Sequence, residues 1–279
     1  MIREKSILLA LTALTLFIVG YLPVFQILVK KWLASDEYSH AFLTLPIIFY
    51  MIWRKRALLA EGPVRFSSAG LLILILSAPV YMFALLTQVH TVIALSMFLT
   101  VMGAVIYLGG AKALKELATP LILFLMLIPV PDQLYIQVTF PLQLKVSQIS
   151  EVVIRLLGVP ILREGNVMNI PEKSFEVVEA CSGLRSMITM LTLSVIVGYF
   201  MLKRISSKLI LVAAGVPTAV LVNIIRVVFM ILLYHFFRLD LTRGALHTVT
   251  GLLIFVIALV ILFLLMKVLE LWETKSKQS

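Results

Sequence analysis

The chain returns again and again to apolar stretches long enough to cross a bilayer, and that feature limits its folding most. At 1.5 Å of rise per residue, roughly 20 apolar residues cover the hydrocarbon core, where every backbone N–H and C=O must be satisfied inside the protein. Such stretches lie at residues 6–29, 41–53 (reaching spanning length if it begins near Tyr38), 69–86, 91–109, 117–130, 183–202, 209–234 and 248–266. They predict an all-α integral membrane protein, a bundle of about eight transmembrane helices. Composition agrees, with 61% hydrophobic and 14% charged residues, whereas soluble domains average about 45–50% and about 25%. Disorder, nucleic-acid binding and a disulfide scaffold are thereby excluded, and the single cysteine cannot close an internal disulfide. The first stretch is too long for a signal-peptide core and lacks a small-residue cleavage site after it, so it reads as a retained span. No repeat, low-complexity tract or linker divides the chain, which reads as one multi-pass domain over residues 1–279.

The net charge of +10 suits basic loops held against an anionic leaflet. With the N-terminus inside, fourteen Lys and Arg fall on the cytoplasmic side against eight outside, and the tight clusters such as Arg54-Lys55-Arg56 and Lys203-Arg204 are all inside. The positive-inside rule then puts both termini in the cytoplasm. Between the fifth and sixth spans, residues 131–178 are too polar to cross and too long for a turn. Their middle, 134–157, has helical apolar spacing that suits an extracytoplasmic interfacial helix or one packed across the bundle mouth, and 159–177 suits a small hairpin.

Ionisable side chains at membrane depth are costly, and each is a functional candidate. Cys181 stands at the outer N-terminus of the sixth span, flanked by Glu179 and Ser182, with Arg185 one turn deeper on the same face. A helix N-terminus and a guanidinium both favour thiolate, which suits a nucleophile; a lone cysteine is also commonly a small buried hydrophobe. In the seventh span Asn223 and Arg226 share a face, Arg226 about 12 Å below the outer end at Tyr234. That arginine needs a partner or a wet cavity, and a structural ion pair is the other reading. His247 opens the eighth span, where an interfacial histidine without a role is the alternative. Trp32 and the segment Asp36-Glu37-Tyr38-Ser39-His40 lie at the mouth of the second span and also fit an ordinary polar loop with a belt aromatic.

Topology joins these residues. Cys181 begins an inward helix, Arg226 is near the exit of an outward one, and His247 begins another inward one, so all three reach the same outer leaflet. A thiol, an imidazole and a guanidinium at one depth suit cysteine acyl transfer: attack on a carbonyl, proton movement, and orientation or charge offset. Metal binding fits less well, because one Cys and scattered His supply no ligand set, and no glycine-rich phosphate loop is present. Two rival classes remain. One is a non-enzymatic transporter or accessory subunit of polysaccharide export, although no inverted repeat is visible. The other is a membrane acyltransferase or glycan polymerase that cleaves no peptide.

At these residues the sequence resembles the exosortase/archaeosortase family, multi-pass membrane cysteine transpeptidases. The likeness is carried by Glu179-Ala180-Cys181-Ser182-Gly183-Leu184-Arg185, Asn223-Ile224-Ile225-Arg226 and His247. It is supported by Tyr38-Ser39-His40, Ile128-Pro129-Val130-Pro131, Phe140-Pro141-Leu142-Gln143 and Leu157-Gly158-Val159-Pro160, and it covers residues 32–251. Ala41 departs from the glycine that usually follows the histidine in the family. The resemblance implies a sorting protease of the cytoplasmic membrane acting at its outer face, with no cofactor. Its substrates would be exported proteins with a C-terminal tail made of a short motif such as Pro-Glu-Pro, one transmembrane helix and a basic cluster. Cleavage through a Cys181 acyl-enzyme would pass the protein to a surface acceptor, a lipid or glycan. His247 would be the general acid/base and Arg226 the electrostatic stabiliser. Arg185 and Asn223, and then His40, Ser182 and Glu179, would support or position. His247 at the third position leans towards the bacterial branch.

Overall fold

The computed structural model describes residues 2–35, 38–60, 66–176, 184–242 and 244–275, which fall in two compact units, Met1–Pro131 and Asp132–Ser279. In the first unit the helices are α1 (Ile2–Gly20), α2 (Leu22–Ala34), α3 (Ala41–Arg54), α4 (Arg56–Ala60), α5 (Ser68–Thr87), α6 (His90–Glu116) and α7 (Ala118–Met126). The long first apolar stretch is broken at Tyr21, and the described parts of α1 and α2 meet at 58°. Pro23 lies in the first turn of α2, where its missing N–H costs no hydrogen bond and its fixed φ favours a helix start. The Val24 N–H donates to the Tyr21 carbonyl at 2.9 Å, and the Gly20 carbonyl accepts from the Tyr81 hydroxyl at 2.8 Å.

Small residues hold α5 on α6. The buried positions of α5 are Gly70, Ser77 and Ala84, seven apart, a stripe that lets two backbones approach closely in a membrane. A Cβ at Gly70 would sit 2.2 Å from the Tyr107 backbone nitrogen, and Thr100 donates across the seam to Ser77 Oγ at 2.9 Å. The stretch expected over 117–130 is helical only as α7, nine residues, or about 14 Å at helical rise. Pro129 and Pro131 cannot continue a helix. The backbone groups left over are taken by side chains: the Leu127 carbonyl by Trp32 Nε1 at 3.0 Å, the Pro129 carbonyl by Thr91 at 2.8 Å, and the Val130 N–H by the Tyr38 hydroxyl oxygen at 3.0 Å.

The second unit contains α8 (Asp132–Leu156), strands β1 (Leu162–Glu164), β2 (Val167–Ile170) and β3 (Lys173–Glu176), then α9 (Leu184–Met201), α10 (Ile205–Phe237) and α11 (Gly244–Lys275). Helix α8 stops in a Schellman motif. Gly158 is left-handed at φ +82°, its N–H reaches the Arg155 carbonyl, and the Val159 N–H reaches the Ile154 carbonyl at 3.3 Å. The buried Ile154–Val159 pair completes the motif, so the Leu157-Gly158-Val159-Pro160 segment is a helix stop. The piece expected as a hairpin is an antiparallel sheet in the order β1-β2-β3. Met168 faces Arg163 on one side and Phe175 on the other. The third strand exists because two short turns, Gly165-Asn166 and Pro171-Glu172, each reverse the chain, and Gly165 supplies the φ of +66° that the first requires. Met168, Ile170 and Phe175 pack with Val146 and Ile154 of α8 and with Ile224, Val227 and Ile231 of α10 in one apolar core. A second core joins α9, α10 and α11 through Met190, Leu211, Ala219, Ile254, Ala258 and Leu262.

Among the described residues, four helices are long and apolar enough to cross a membrane: α5, α6, α10 and the Leu246–Lys275 part of α11. The bent α1–α2 pair adds a fifth if taken as one span, while α3 and Met187–Met201 of α9 are shorter apolar helices. The fold is therefore that of a helical membrane protein carrying one small sheet.

Candidate active site

Helix α10 buries a polar pair in an otherwise apolar face. Asn223 is 3% exposed and Arg226 9% exposed, one turn apart on the side where Val222 and Ala219 meet the α9–α11 core. A guanidinium buried to that extent is costly unless its donors find acceptors. One comes from the first turn of α11: Arg226 Nη2 lies 3.0 Å from His247 Nε2. Gly251, one turn further along α11, borders the guanidinium; a Cβ placed there would make an ordinary contact, 3.6 Å from Nη2 and 3.9 Å from Cζ.

The partners of His247 define its tautomer. A guanidinium only donates, so Nε2 is the acceptor and carries the lone pair. The proton sits on Nδ1, which donates to the Leu241 carbonyl at 3.1 Å. The imidazole is thus neutral and partly exposed, oriented at both nitrogens, with its basic nitrogen turned towards Arg226. This arrangement can take up a proton at Nε2 and, once it does, release Arg226 Nη2 to another acceptor.

The connection from α10 to α11 carries a polar cluster around that carbonyl. The Asp240 carboxylate accepts from the Thr242 N–H at 3.0 Å and the Thr242 hydroxyl at 2.6 Å. Its other oxygen meets Lys173 Nζ at 2.5 Å. These hydrogen bonds, the one from Lys173 foremost, hold the Asp240 carboxyl well below the usual carboxylate range. Lys173 also lies over the rings of Phe175 and Tyr234, 5.2 and 5.0 Å from their centroids. Next to it, Glu172 bonds His235 and Arg238 at the end of α10, each at 3.3 Å.

Arg226 and His247 are brought into contact, and Asn223 lies one turn from Arg226 on the same helix. Cys181, Ser182 and Glu179 lie outside the described residues, as does the side chain of Arg185. His40 stands at the N-cap position of α3 in the first unit without a side-chain capping bond, and its ring stacks on Tyr38, 6.4 Å between centroids. Tyr38 is 2% exposed and holds the 128–131 segment, so two of the supporting motifs form one local structure. Trp32, read as a belt residue, is buried with its indole N–H bonded to backbone. Sequence reasoning missed Lys173, Asp240 and Leu241. Only the Asp240-Leu241-Thr242 turn has a local signal, an aspartate able to accept from the backbone two residues on. Among the described residues no three His, Cys, Asp or Glu gather as metal ligands.

The protein-family model described as "Transmembrane exosortase (Exosortase_EpsH)" matches residues 32–264, which include Tyr38, His40, Cys181, Arg226 and His247. No curated protein and no solved structure matches the chain.

Proposed function

Because the chain belongs to the transmembrane exosortase family, we propose that it is a membrane-embedded cysteine transpeptidase that removes C-terminal sorting tails from exported proteins. Cys181 is the nucleophile, His247 the general acid/base and Arg226 the oxyanion partner. The Cys181 thiol gives its proton to His247 Nε2 and the sulfur attacks the scissile carbonyl. An imidazolium has no lone pair for Arg226, so the Nη2 donor turns to the new oxyanion, where the charge has moved. Collapse breaks the C–N bond, the leaving amine takes the Nε2 proton, and the thioester remains on Cys181. An acceptor hydroxyl or water, deprotonated by Nε2, then attacks the thioester and restores the thiol. Arg185, four residues after Cys181 in the sequence, supports the thiolate, and Asn223 positions Arg226. Glu179 and Ser182 flank the nucleophile in the sequence, and His40 is assigned a supporting or substrate-positioning role.

The observation that carries this reading is the Arg226–His247 hydrogen bond, formed between residues 21 apart on two different helices. With the eight crossings of the cytoplasmic membrane expected from the sequence, the fourteen-to-eight distribution of Lys and Arg supports both termini inside and a site at the extracytoplasmic face. The tail reads as a short motif of the Pro-Glu-Pro kind, a transmembrane helix and a basic cluster, and the acceptor as a surface lipid or glycan. An apolar groove of about 370 Å³ between α8 and α10, lined by Ile149, Val153, Leu221, Ile225 and Phe229, offers a lateral surface for such a helix. The test is co-expression of a tail-bearing protein with wild-type enzyme and with Cys181→Ala, reading the mass of the mature C-terminus. Tail loss only with the thiol supports the proposal; equal processing in both refutes it.

A further inference from the structure

The Leu241 carbonyl that fixes His247 belongs to the same peptide unit as the Thr242 N–H. In a trans peptide the two groups point in opposite directions. Asp240 Oδ1 grips that N–H at 3.0 Å, while the carbonyl faces His247 Nδ1 at 3.1 Å on the other side. The peptide plane is thus held from both ends, and its orientation decides whether Nδ1 keeps its acceptor. Asp240 is in turn steadied through its second oxygen, by Lys173 Nζ at 2.5 Å. Lys173 also reaches Thr242 Oγ1 at 3.2 Å and rests between two aromatic faces. The Leu241 side chain is buried in the core shared by α8, the sheet and α10, so the clamp is anchored on its apolar side too. The sheet gains a purpose from this: β3 delivers Lys173, and Glu172 ties the preceding turn to the last turn of α10.

We infer that Lys173 and Asp240 are positioning residues for His247, their ion pair holding the Leu241–Thr242 peptide so that its carbonyl keeps the proton on Nδ1 and the lone pair on Nε2. This rests on the reading above, in which Nε2 takes the thiol proton. A residue that sets the tautomer of a catalytic histidine acts on the chemical step and leaves substrate binding alone. Loss of the clamp lets the peptide rotate and Nδ1 exchange its partner.

The experiment uses the full chain in detergent with ¹⁵N-labelled histidine, the His247 signals assigned through His247→Gln. Wild type shows one tautomer, with the proton on Nδ1; Lys173→Met and Asp240→Ala show both tautomers, and Lys173→Arg returns the wild-type pattern. In tail processing, Lys173→Met and Asp240→Ala lower kcat by about 10²-fold, the penalty of an ångström-scale misplacement, with KM unchanged and Lys173→Arg restoring most of the rate. An unmoved tautomer in both variants overturns the clamp, as does a rise in KM at constant kcat. If Asp240→Ala does not fold, Lys173→Met alone decides. A tautomer that shifts in the variants, beside a wild type with no thiol-dependent processing, sustains the clamp and refutes the proposed reaction. An unmoved tautomer in an enzyme that does process tails refutes the clamp alone.

Discussion

Arg226 and His247 can be separated by a double-mutant cycle of Arg226→Met, His247→Leu and the pair together. Removing the imidazole leaves a guanidinium that is 9% exposed without the acceptor that stood 3.0 Å from Nη2. A hydrogen bond to a charged group contributes about 1.5–3 kcal/mol, and orphaning a buried donor costs about 1–3 kcal/mol. Arg226→Met costs less, because the partly exposed imidazole can recruit water at Nε2. The double variant presents two apolar side chains to each other, and replacing both partners in this way is often close to neutral. The cycle therefore gives a coupling of about 1.5–3 kcal/mol, with His247→Leu the worst of the three. The assay is reversible unfolding in mixed micelles, extrapolated linearly to zero denaturing detergent. A coupling below about 0.5 kcal/mol, the additivity limit for independent sites, would refute the contact and the tautomer deduced from it.

Three other substitutions probe the fold and the clamp. Gly70→Ala drives a Cβ into the Tyr107 backbone, 2.2 Å from its nitrogen, so α5 and α6 must part at a cost of about 1–3 kcal/mol. The control Gly20→Ala, with open space around its Cβ, stays within about 0.5 kcal/mol in the same unfolding assay. Tyr38→Phe removes the acceptor of the Val130 N–H and costs about 1 kcal/mol, read as faster proteolysis near residues 128–131. Asp240 has its folded-state pKa depressed by Lys173 and Thr242, so its contribution is complete above the unfolded value of about 3.9 and is lost as pH falls through the folded one. The stability gap between wild type and Asp240→Asn is accordingly flat from pH 8 to 5, as those limits lie about one unit or more above 3.9, and it closes in stronger acid. A gap that closes near neutrality would contradict the ion pair.

The long helices were legible because apolar length is a direct statement about bilayer thickness, Arg226 because a charge at that depth demands a partner, and His247 because a polar side chain opens an apolar helix on the same side. What apolar length cannot tell is whether a stretch is helix throughout. Residues 117–130 read as one span, yet two prolines end the helix at Met126 and three side chains from elsewhere take over the backbone groups of 127–130. Pro23 carried a local signal for the break at Tyr21, but the hydrophobicity on both sides masked it. The kink at Gly110, φ +63° and ψ −162°, has no signal beyond a Gly-Gly pair. At the site, side chains that do chemistry announce themselves by type, whereas the Leu241 carbonyl is a backbone atom present in every residue. Only the folded Asp240 turn, pinned by a lysine 67 residues away, makes that carbonyl a partner of His247.

The proposed thioester on Cys181 is tested by intact mass of the enzyme after reaction with a tail-bearing protein under acid quench. The expected result is a covalent adduct in the wild type, carrying the substrate without its tail, mapped to Cys181 and released by neutral hydroxylamine. A tail that is removed at an undiminished rate by Cys181→Ala, with no adduct in either protein, would contradict it.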